Sequence, residues 1–461
     1  MAKQICVSRG ARAVCFLFIG LSPVLLSASD VQESVGRAGS DISNKVMASL
    51  DALYPSLDAL YIDLHRNPEL SGQEVETAAK LAGRMRTLGY DVTERVGGHG
   101  IVAVLKNGAG PTVMIRTDMD ALPIREETGL PYASQARGKG ETGEQVPVMH
   151  ACGHDVHMVS WVGAATLLAQ SRTLWSGTLV FVGQPAEETL QGARAMVADG
   201  LLTRFPQPDV ALAIHATNML PAGQVGLISG PAAAATNGVD IVFHGKGGHG
   251  ASPHLTIDPV LLAARTVVSL QSIVSREINP MDPAVVTVGT FHAGTRRNII
   301  PEDATLQLTI RSYKPEVQAR ILASITRIAK AESAAAAAPR EPTITIDAKD
   351  GVLAVYNDPA VTARLSTALT KGLGASAVAP ISATMASEDF SVYSHAGGMP
   401  AVQLRLGSVE PGEFAKAKAT GSLVPGAHTS TYAPDREPTL RTGAGALTLA
   451  VLELLSGAPA R

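Results

Sequence analysis

Thr178-Leu179-Val180-Phe181-Val182-Gly183-Gln184-Pro185-Ala186-Glu187-Glu188 is an apolar run that stops on a proline turn and a pair of carboxylates. A short continuous apolar run bounded by turn residues fits a strand buried on both faces. Ile101–Leu105, Thr112–Arg116 and Val210–His215 also read as strands, and Val156–Ala169 between them reads as a helix. Such alternation argues for an α/β sheet covered by helices. Ligands of open α/β sheets collect at the carboxyl ends of the strands, which makes Glu187 and Glu188 functional candidates. Neighbouring carboxylates in a dry pocket repel unless a cation compensates. Adjacent side chains also diverge, so one can hold a metal while the other faces its water. The competing account is a solvated acidic pair opening a helix, where the dipole favours Glu.

Upstream of these strands, residues 30–45 are small and polar and read as a loose leader, followed by a helix over Asn44–His65. Ser71 and Glu74 stand three apart before an apolar stretch, a capping-box pattern for a helix that ends at Gly89. Downstream, Val239–His244, Ala284–Phe291, Ala304–Ser312 and Thr343–Ile346 read as strands, with helices over Val260–Glu277 and Val317–Ala337. That order, β-α-β-β-α-β, is ferredoxin-like and can stand as a small domain. The α/β pattern then resumes and closes with a helix over Leu440–Leu455. The expected division is therefore a catalytic domain in two parts, residues 45–235 and 349–461, with residues 236–348 inserted between them.

A chain of 461 residues is too long for one ordinary core and points to two domains. Apolar residues make up 46% and charged residues 17%, with 38 basic against 41 acidic. That balance offers no footing for a nucleic acid or an anionic membrane. Lys3, Arg9 and Arg12, the largely apolar Ala13–Leu26 and the small Ser27-Ala28-Ser29 read as an export signal over residues 1–29. The protein is thus expected in the periplasm or secreted, with no stable membrane association after cleavage. Of Cys6, Cys15 and Cys152 only the last would remain, so no internal disulfide can form. A solitary thiol in an oxidising compartment is a liability unless buried or ligated.

The neighbours of that thiol argue for ligation. In Met149-His150-Ala151-Cys152-Gly153-His154-Asp155-Val156-His157, Cys152 and His154 lie two apart in a turn leading into a helix, and both can reach one metal. A buried Cys beside a capping His is the alternative. His157, one turn on, reads as packing or as support for a ligand. His215 ends a strand, Asp118-Met119-Asp120 follows another, and His428 lies in the loop before the final helix. Singly these are strand caps and turns. Independent apolar strands that each end in metal-capable residues point jointly to a metal site.

At these residues the chain resembles the aminoacylase and carboxypeptidase family of metallopeptidases, nearest to its branch of hippurate hydrolases and indole-acetyl amino-acid hydrolases. The resemblance is carried, over residues 45–455, by Asp63-Leu64-His65-Arg66-Asn67-Pro68-Glu69-Leu70, Arg116-Thr117-Asp118-Met119-Asp120-Ala121-Leu122-Pro123, the Met149–Asp155 segment and Glu187-Glu188. Ile214-His215, Gly247-Gly248-His249 and Ser387-Glu388-Asp389-Phe390 complete it. It implies a zinc-peptidase-like catalytic domain, with a mixed sheet and flanking helices, and an inserted ferredoxin-like α+β dimerisation domain, hence a homodimer. It implies two divalent metal ions, zinc or manganese, held by Cys152, His154, Glu188, His215 and His428. It further implies Glu187 as general base and a substrate contact from His249, serving the partner subunit's site. Asp120 would hold a ligand His in the right tautomer. The implied reaction is hydrolysis of the amide bond of an N-acyl amino acid or related small peptide-like substrate by metal-activated water.

The chain departs from the family where His428-Thr429-Ser430 lacks the usual Pro two residues after the last ligand His, and where Arg296-Arg297 precedes Asn298. Three other functions compete with this one. They are an exported dipeptidase or carboxypeptidase of the same family, a non-enzymatic metal-binding relative, and a hydrolase using Cys152 as nucleophile.

Overall fold

The computed structural model describes residues 28–456. The segment read as an export signal lies outside the described residues except for its last two. In chain order the strands used below are β1 Asp91–Val96, β2 Gly100–Asn107, β3 Thr112–Asp118, β4 Gly177–Gln184, β5 Val210–Pro221 and β6 Val225–Leu227. They continue as β7 Ala235–His244, β8 Ala284–Ala293, β9 Asp303–Ser312, β10 Thr343–Val352, β11 Val378–Pro380 and β12 Ala401–Val409. The helices are α1 Ala28–Arg66, α2 Val75–Thr87, α3 His154–Gln170, α4 Pro259–Ser272, α5 Pro315–Ala335, α6 Pro359–Leu373 and α7 Arg436–Ser456.

Eight strands form one mixed sheet in the order β1-β2-β4-β3-β5-β12-β6-β11. Its centre, β4-β3-β5-β12, is parallel, so these strands deliver their carboxyl ends to the same edge. The strand period of two splits their side chains between two cores. Val113, Ile115, Leu179, Phe181, Leu212 and Ile214 face a core closed by α1, α2, α3 and α7. Met114, Val180, Val182, Ala211 and Ala213 face a second core that includes Met196, Phe390 and Tyr393. Helix α3 is apolar around most of its circumference and almost wholly buried, which suits a helix enclosed between the sheet and a second helix. That second helix is α7. A Cβ on Gly443 would sit 2.1 Å from Ser160 Oγ, so glycine is what allows α7 to approach α3.

Strands β7 to β10 form a separate antiparallel sheet in the order β8-β9-β7-β10, with α4 and α5 packed over Val239, Ile241, Phe243, Leu306, Leu308 and Ile310. This is the expected ferredoxin-like arrangement, and the α/β class with a large mixed sheet is found as read.

Two local expectations fail. The stretch read as a loose leader is the first part of α1. Its apolar residues Val31, Val35, Ile42 and Val46 continue the spacing of Leu50, Leu53 and Leu57, and the proline of the helix, Pro55, comes after that stretch. Ser71 and Glu74 do not form a capping box. The α2 amino end is instead capped by Glu69, whose carboxylate accepts from Glu76 N at 3.2 Å and Thr77 N at 2.8 Å. Ser71 and Glu74 are drawn away by partners distant in sequence, described below.

The close packing of α3 and α7 makes a test. Gly443→Ala should destabilise the protein by about 1–3 kcal/mol through overpacking. Gly83→Ala, in α2 with nothing within 4 Å of its would-be Cβ, should stabilise it by up to ~1 kcal/mol. Thermal denaturation of both variants checks the opposite signs.

Candidate metal centre

The site is built where β3, β4 and β5 end. After Gln184 the chain turns through Pro185 and Ala186, and Ala186 adopts a left-handed φ of 50°. A non-glycine residue there costs on the order of 1–3 kcal/mol and needs outside support. Buried acids provide it. Glu74 Oε1 accepts from Ala186 N at 2.8 Å, and Asp120 Oδ2 accepts from Glu188 N at 3.0 Å and from Ser71 Oγ at 2.6 Å. The turn thereby points Glu187 and Glu188 at the strand ends. Gly153, at φ 79°, reverses the chain between Cys152 and His154 so that both side chains face the same space. His215 arrives from β5.

The donor atoms of Cys152, His154 and His215 lie within 4.8 Å of one another, and so do those of Cys152, Glu188 and His428. The thiol thus belongs to both groups. Cys152 Sγ is 3.6 Å from His215 Nε2, and His428 Nε2 is 3.3 Å from Glu188 Oε2. His154 Nε2 lies 3.8 Å from Glu188 Oε1 and 3.9 Å from Glu187 Oε2. The two His154 spacings are too long for hydrogen bonds, and all four suit atoms placed around a cation.

Two ring tautomers follow from the outer contacts. His154 Nδ1 donates to the Asp120 carbonyl at 2.8 Å, and His215 Nδ1 donates to the Ala216 carbonyl at 2.7 Å. In each case Nε2 is left with its lone pair facing inward. His154 Nε2 and Glu188 Oε1 are sealed from solvent with no hydrogen-bond partner. Buried polar atoms are rarely left so, and a divalent cation satisfies both. The donor set therefore fits a metal, and its membership fits two.

The electrostatics agree. Burial pushes the Cys152 thiol up to about 12, with the Glu188 carboxylate adding to the rise. Burial, then Glu388 and Glu188, hold Glu187 well above the usual carboxylate range. Burial lowers His215 well below the histidine range. Burial also pulls on His154, but Asp118 and Asp120 outweigh it and raise that ring. Without a cation the pocket is crowded with groups that cannot all take their ligand forms.

Of the supporting residues, His157 has the packing or supporting place read for it, while Arg116 and His65 went unrecognised in the sequence. Arg116 is fully buried on β3 and donates to Gln184 Oε1, Asp118 Oδ2, Glu388 Oε1 and Asp389 Oδ1 at 2.6–3.0 Å. His157 Nδ1 donates to Asp118 Oδ1 at 2.6 Å, and its Nε2 accepts from Ala216 N at 2.7 Å. His65 bridges Asp155 Oδ2 at 2.7 Å and Glu126 Oε1 at 3.1 Å beneath the start of α3. Their motifs, Asp118-Met119-Asp120, Ser387-Glu388-Asp389 and Asp63-Leu64-His65, were visible, but their partners were not.

Among the residues singled out from the sequence, Cys152, His154, Glu187, Glu188 and His215 come together around the strand ends, with Asp120 directly behind His154. Asp120 meets that ring through its carbonyl, and its carboxylate stands 3.4 Å from Nδ1. His428 joins from a loop whose backbone is anchored by His428 N to the Ala151 carbonyl at 2.8 Å. It takes a left-handed φ of 66°, and its side chain remains 55% exposed, unlike the rest of the cluster. His249 is not brought in. It is exposed on a two-residue strand, Gly248–His249, paired with Ile299–Ile300, and its Nδ1 accepts from Ala251 N at 3.0 Å. A cavity of about 450 Å³ opens beside Glu188 and is lined by Arg311, Ser387, Thr236 and Thr309.

Residues 114–420 match the peptidase family M20/M25/M40. The chain is 34% identical over 394 residues to thermostable carboxypeptidase 2 of Saccharolobus solfataricus, covering 85% of this chain and 93% of that one. It is 39% identical over 268 residues to the hippurate hydrolase of Campylobacter jejuni, covering 58% and 67%. Its structure superposes with a TM-score of 0.71 on a dinuclear metal-binding peptidase of the M20 family from Bacillus subtilis, at 28% identity, covering 88% of this chain and 99% of that one.

The arrangement sets two outcomes. Cys152→Ala should lose more bound metal than His428→Ala, because the thiol belongs to both donor groups and His428 to one. Elemental analysis of both proteins checks this. The second concerns His65. Burial lowers its pKa, but the hydrogen bonds to Asp155 and Glu126 raise it from 6.5 to about 9. The folded state holds that proton more tightly than the unfolded chain, so its contribution is complete below pH 6.5 and is lost as pH rises through about 9. Wild-type melting temperature should fall over that window, by the equivalent of a few kcal/mol, and His65→Asn should flatten the fall.

Proposed function

The chain belongs to peptidase family M20/M25/M40, and from that premise we propose that it is a two-metal amidohydrolase of N-acyl amino acids. One observation carries the reading. Glu187 is absent from both donor groups that share Cys152, and it meets the cluster from the side of His154 and Glu188, its carboxylate 3.9 Å from His154 Nε2. An acid so placed is free to move protons.

Two divalent cations, held by Cys152, His154, Glu188, His215 and His428, would acidify a water and polarise the amide carbonyl. Glu187 takes the proton of the attacking water and passes it to the leaving nitrogen. Its raised affinity for a proton, from burial and from Glu388 and Glu188, suits that shuttle. Arg116 holds Glu388 and Asp389 in place beside it and offsets their charge. Asp120 fixes the His154 ring and the backbone of Glu188 together. Thiolate, imidazole and carboxylate in one site suit zinc, with manganese the alternative where it is more available.

Residues 236–348 are assigned as a dimerisation unit and residues 45–235 and 349–461 as the catalytic unit. Leu255, Leu261 and Val268, 60–73% exposed on and beside α4, support a homodimer. In it, His249 of one protomer would serve the partner's site. Export to the periplasm, or secretion, is part of the same reading and rests on the amino-terminal pattern alone.

The match to a carboxypeptidase favours a second reading, peptide hydrolysis by the same residues, and substrate choice separates the two. Wild-type protein should release free amine from N-acetyl or N-benzoyl amino acids faster than from dipeptides, and a strong chelator should abolish it. Glu187→Ala should keep its metal and lose about 10²–10⁴-fold in kcat. Full activity in that variant would remove Glu187 from the chemistry.

A further inference from the structure

Arg405 is the second guanidinium on the catalytic side of the main sheet, and it is unlike the first. It lies on β12, in register with His215 on the neighbouring β5. Gln403, two residues earlier and so on the same face, donates to Glu388 Oε2 at 2.7 Å. Arg405 therefore belongs to the layer of side chains that carries Glu388, Glu187 and the thiol of Cys152, and all three act on it through space. Its exposure is 8%. Arg116, more deeply buried still, is saturated by four acceptors. The Arg405 side chain has no hydrogen bond or ion pair among the described residues, and its nitrogens are not among the atoms sealed from solvent.

A buried guanidinium without an acceptor is costly, because desolvation is not repaid. Arg presents a fixed planar fork that matches a carboxylate in a bidentate pair. A carboxylate ligand in the cleft supplies what the protein withholds. The residual exposure of Arg405 leaves its fork open to a small molecule, and the neighbouring acids are already engaged elsewhere. Glu388 is bonded to Arg116 and Gln403, and Glu187 is assigned to proton transfer.

We propose that Arg405 binds the free carboxylate of the amino-acid half of the substrate and so selects N-acyl amino acids over their neutral analogues. The inference deepens the proposed function and rests on it for the identity of the substrate class. It makes Arg405 a specificity residue, with no part in the proton transfers of Glu187.

Calorimetry with N-benzoylglycine and its carboxamide tests it on full-length, metal-loaded protein carrying Glu187→Gln to stop turnover. In that background the acid should bind at least tenfold more tightly than the amide. Adding Arg405→Met should erase the difference by weakening the acid alone, and Arg405→Lys should restore part of it. Unchanged metal content and melting temperature in the Arg405 variants separate recognition from folding. A preference for the acid that survives Arg405→Met, equal losses for acid and amide, or no binding of the acid at all would each overturn the assignment. Chelator-sensitive hydrolysis of N-acyl amino acids by the wild type is read separately, so the function can stand while the role of Arg405 falls.

Discussion

The structure depends on how a crowd of carboxylates is tolerated in a nearly dry pocket. Asp118, Asp120, Glu187, Glu188, Glu388 and Asp389 converge at the ends of β3 and β4 and beside β12. Ionised together without countercharge they would repel by many kcal/mol. Arg116 offsets those on the sheet side. The imidazoles of His154 and His157 take up Asp118 and Asp120 from the helix side. What remains is negative charge at Glu188, met only by the half-exposed His428, and potential charge at Cys152 beside it. The protein has built a cation site by leaving that part of the balance open.

The scaffold makes the arrangement rigid. Parallel strands deliver their ends to one line, and α3 presents Cys152 and His154 from its own amino end. The supports behind the donors are as consistent as the donors. His154 and His215 each have their other nitrogen committed to a backbone carbonyl, which fixes the tautomer before any metal arrives. The left-handed Ala186 is held by Glu74, and the following Glu188 by Asp120. His428 is the contrast, since it is reached through a strained loop residue and is half exposed. A ligand on a loop beside ligands on rigid elements is where such a site can adjust to metal or substrate.

Much of this was legible in the sequence because the signals were local. Apolar runs that end in Asp, Glu and His mark both the strands and the edge at which they stop. The β-α-β-β-α-β order is a matter of period, and the sheet order β8-β9-β7-β10 agrees with it. The pairings that span the chain were not legible. Arg116 finds Glu388 across 272 residues and His65 finds Asp155 across 90, and no periodicity announces either. Ser71 and Glu74 were misread for the same reason. Their spacing is that of a capping box, but Asp120 and Ala186 compete for them and prevail. Arg405 was silent because one basic residue in an apolar strand looks like an edge position until its neighbours are known.

X-ray absorption at the zinc edge of zinc-loaded protein tests the central claim most directly. A sulfur scatterer at about 2.3 Å together with lighter nitrogen and oxygen scatterers at about 2.0–2.2 Å is predicted, with the sulfur signal gone in Cys152→Ala. A shell of nitrogen and oxygen alone in the wild type would contradict the account, because the open negative charge would then have been read around the wrong atom.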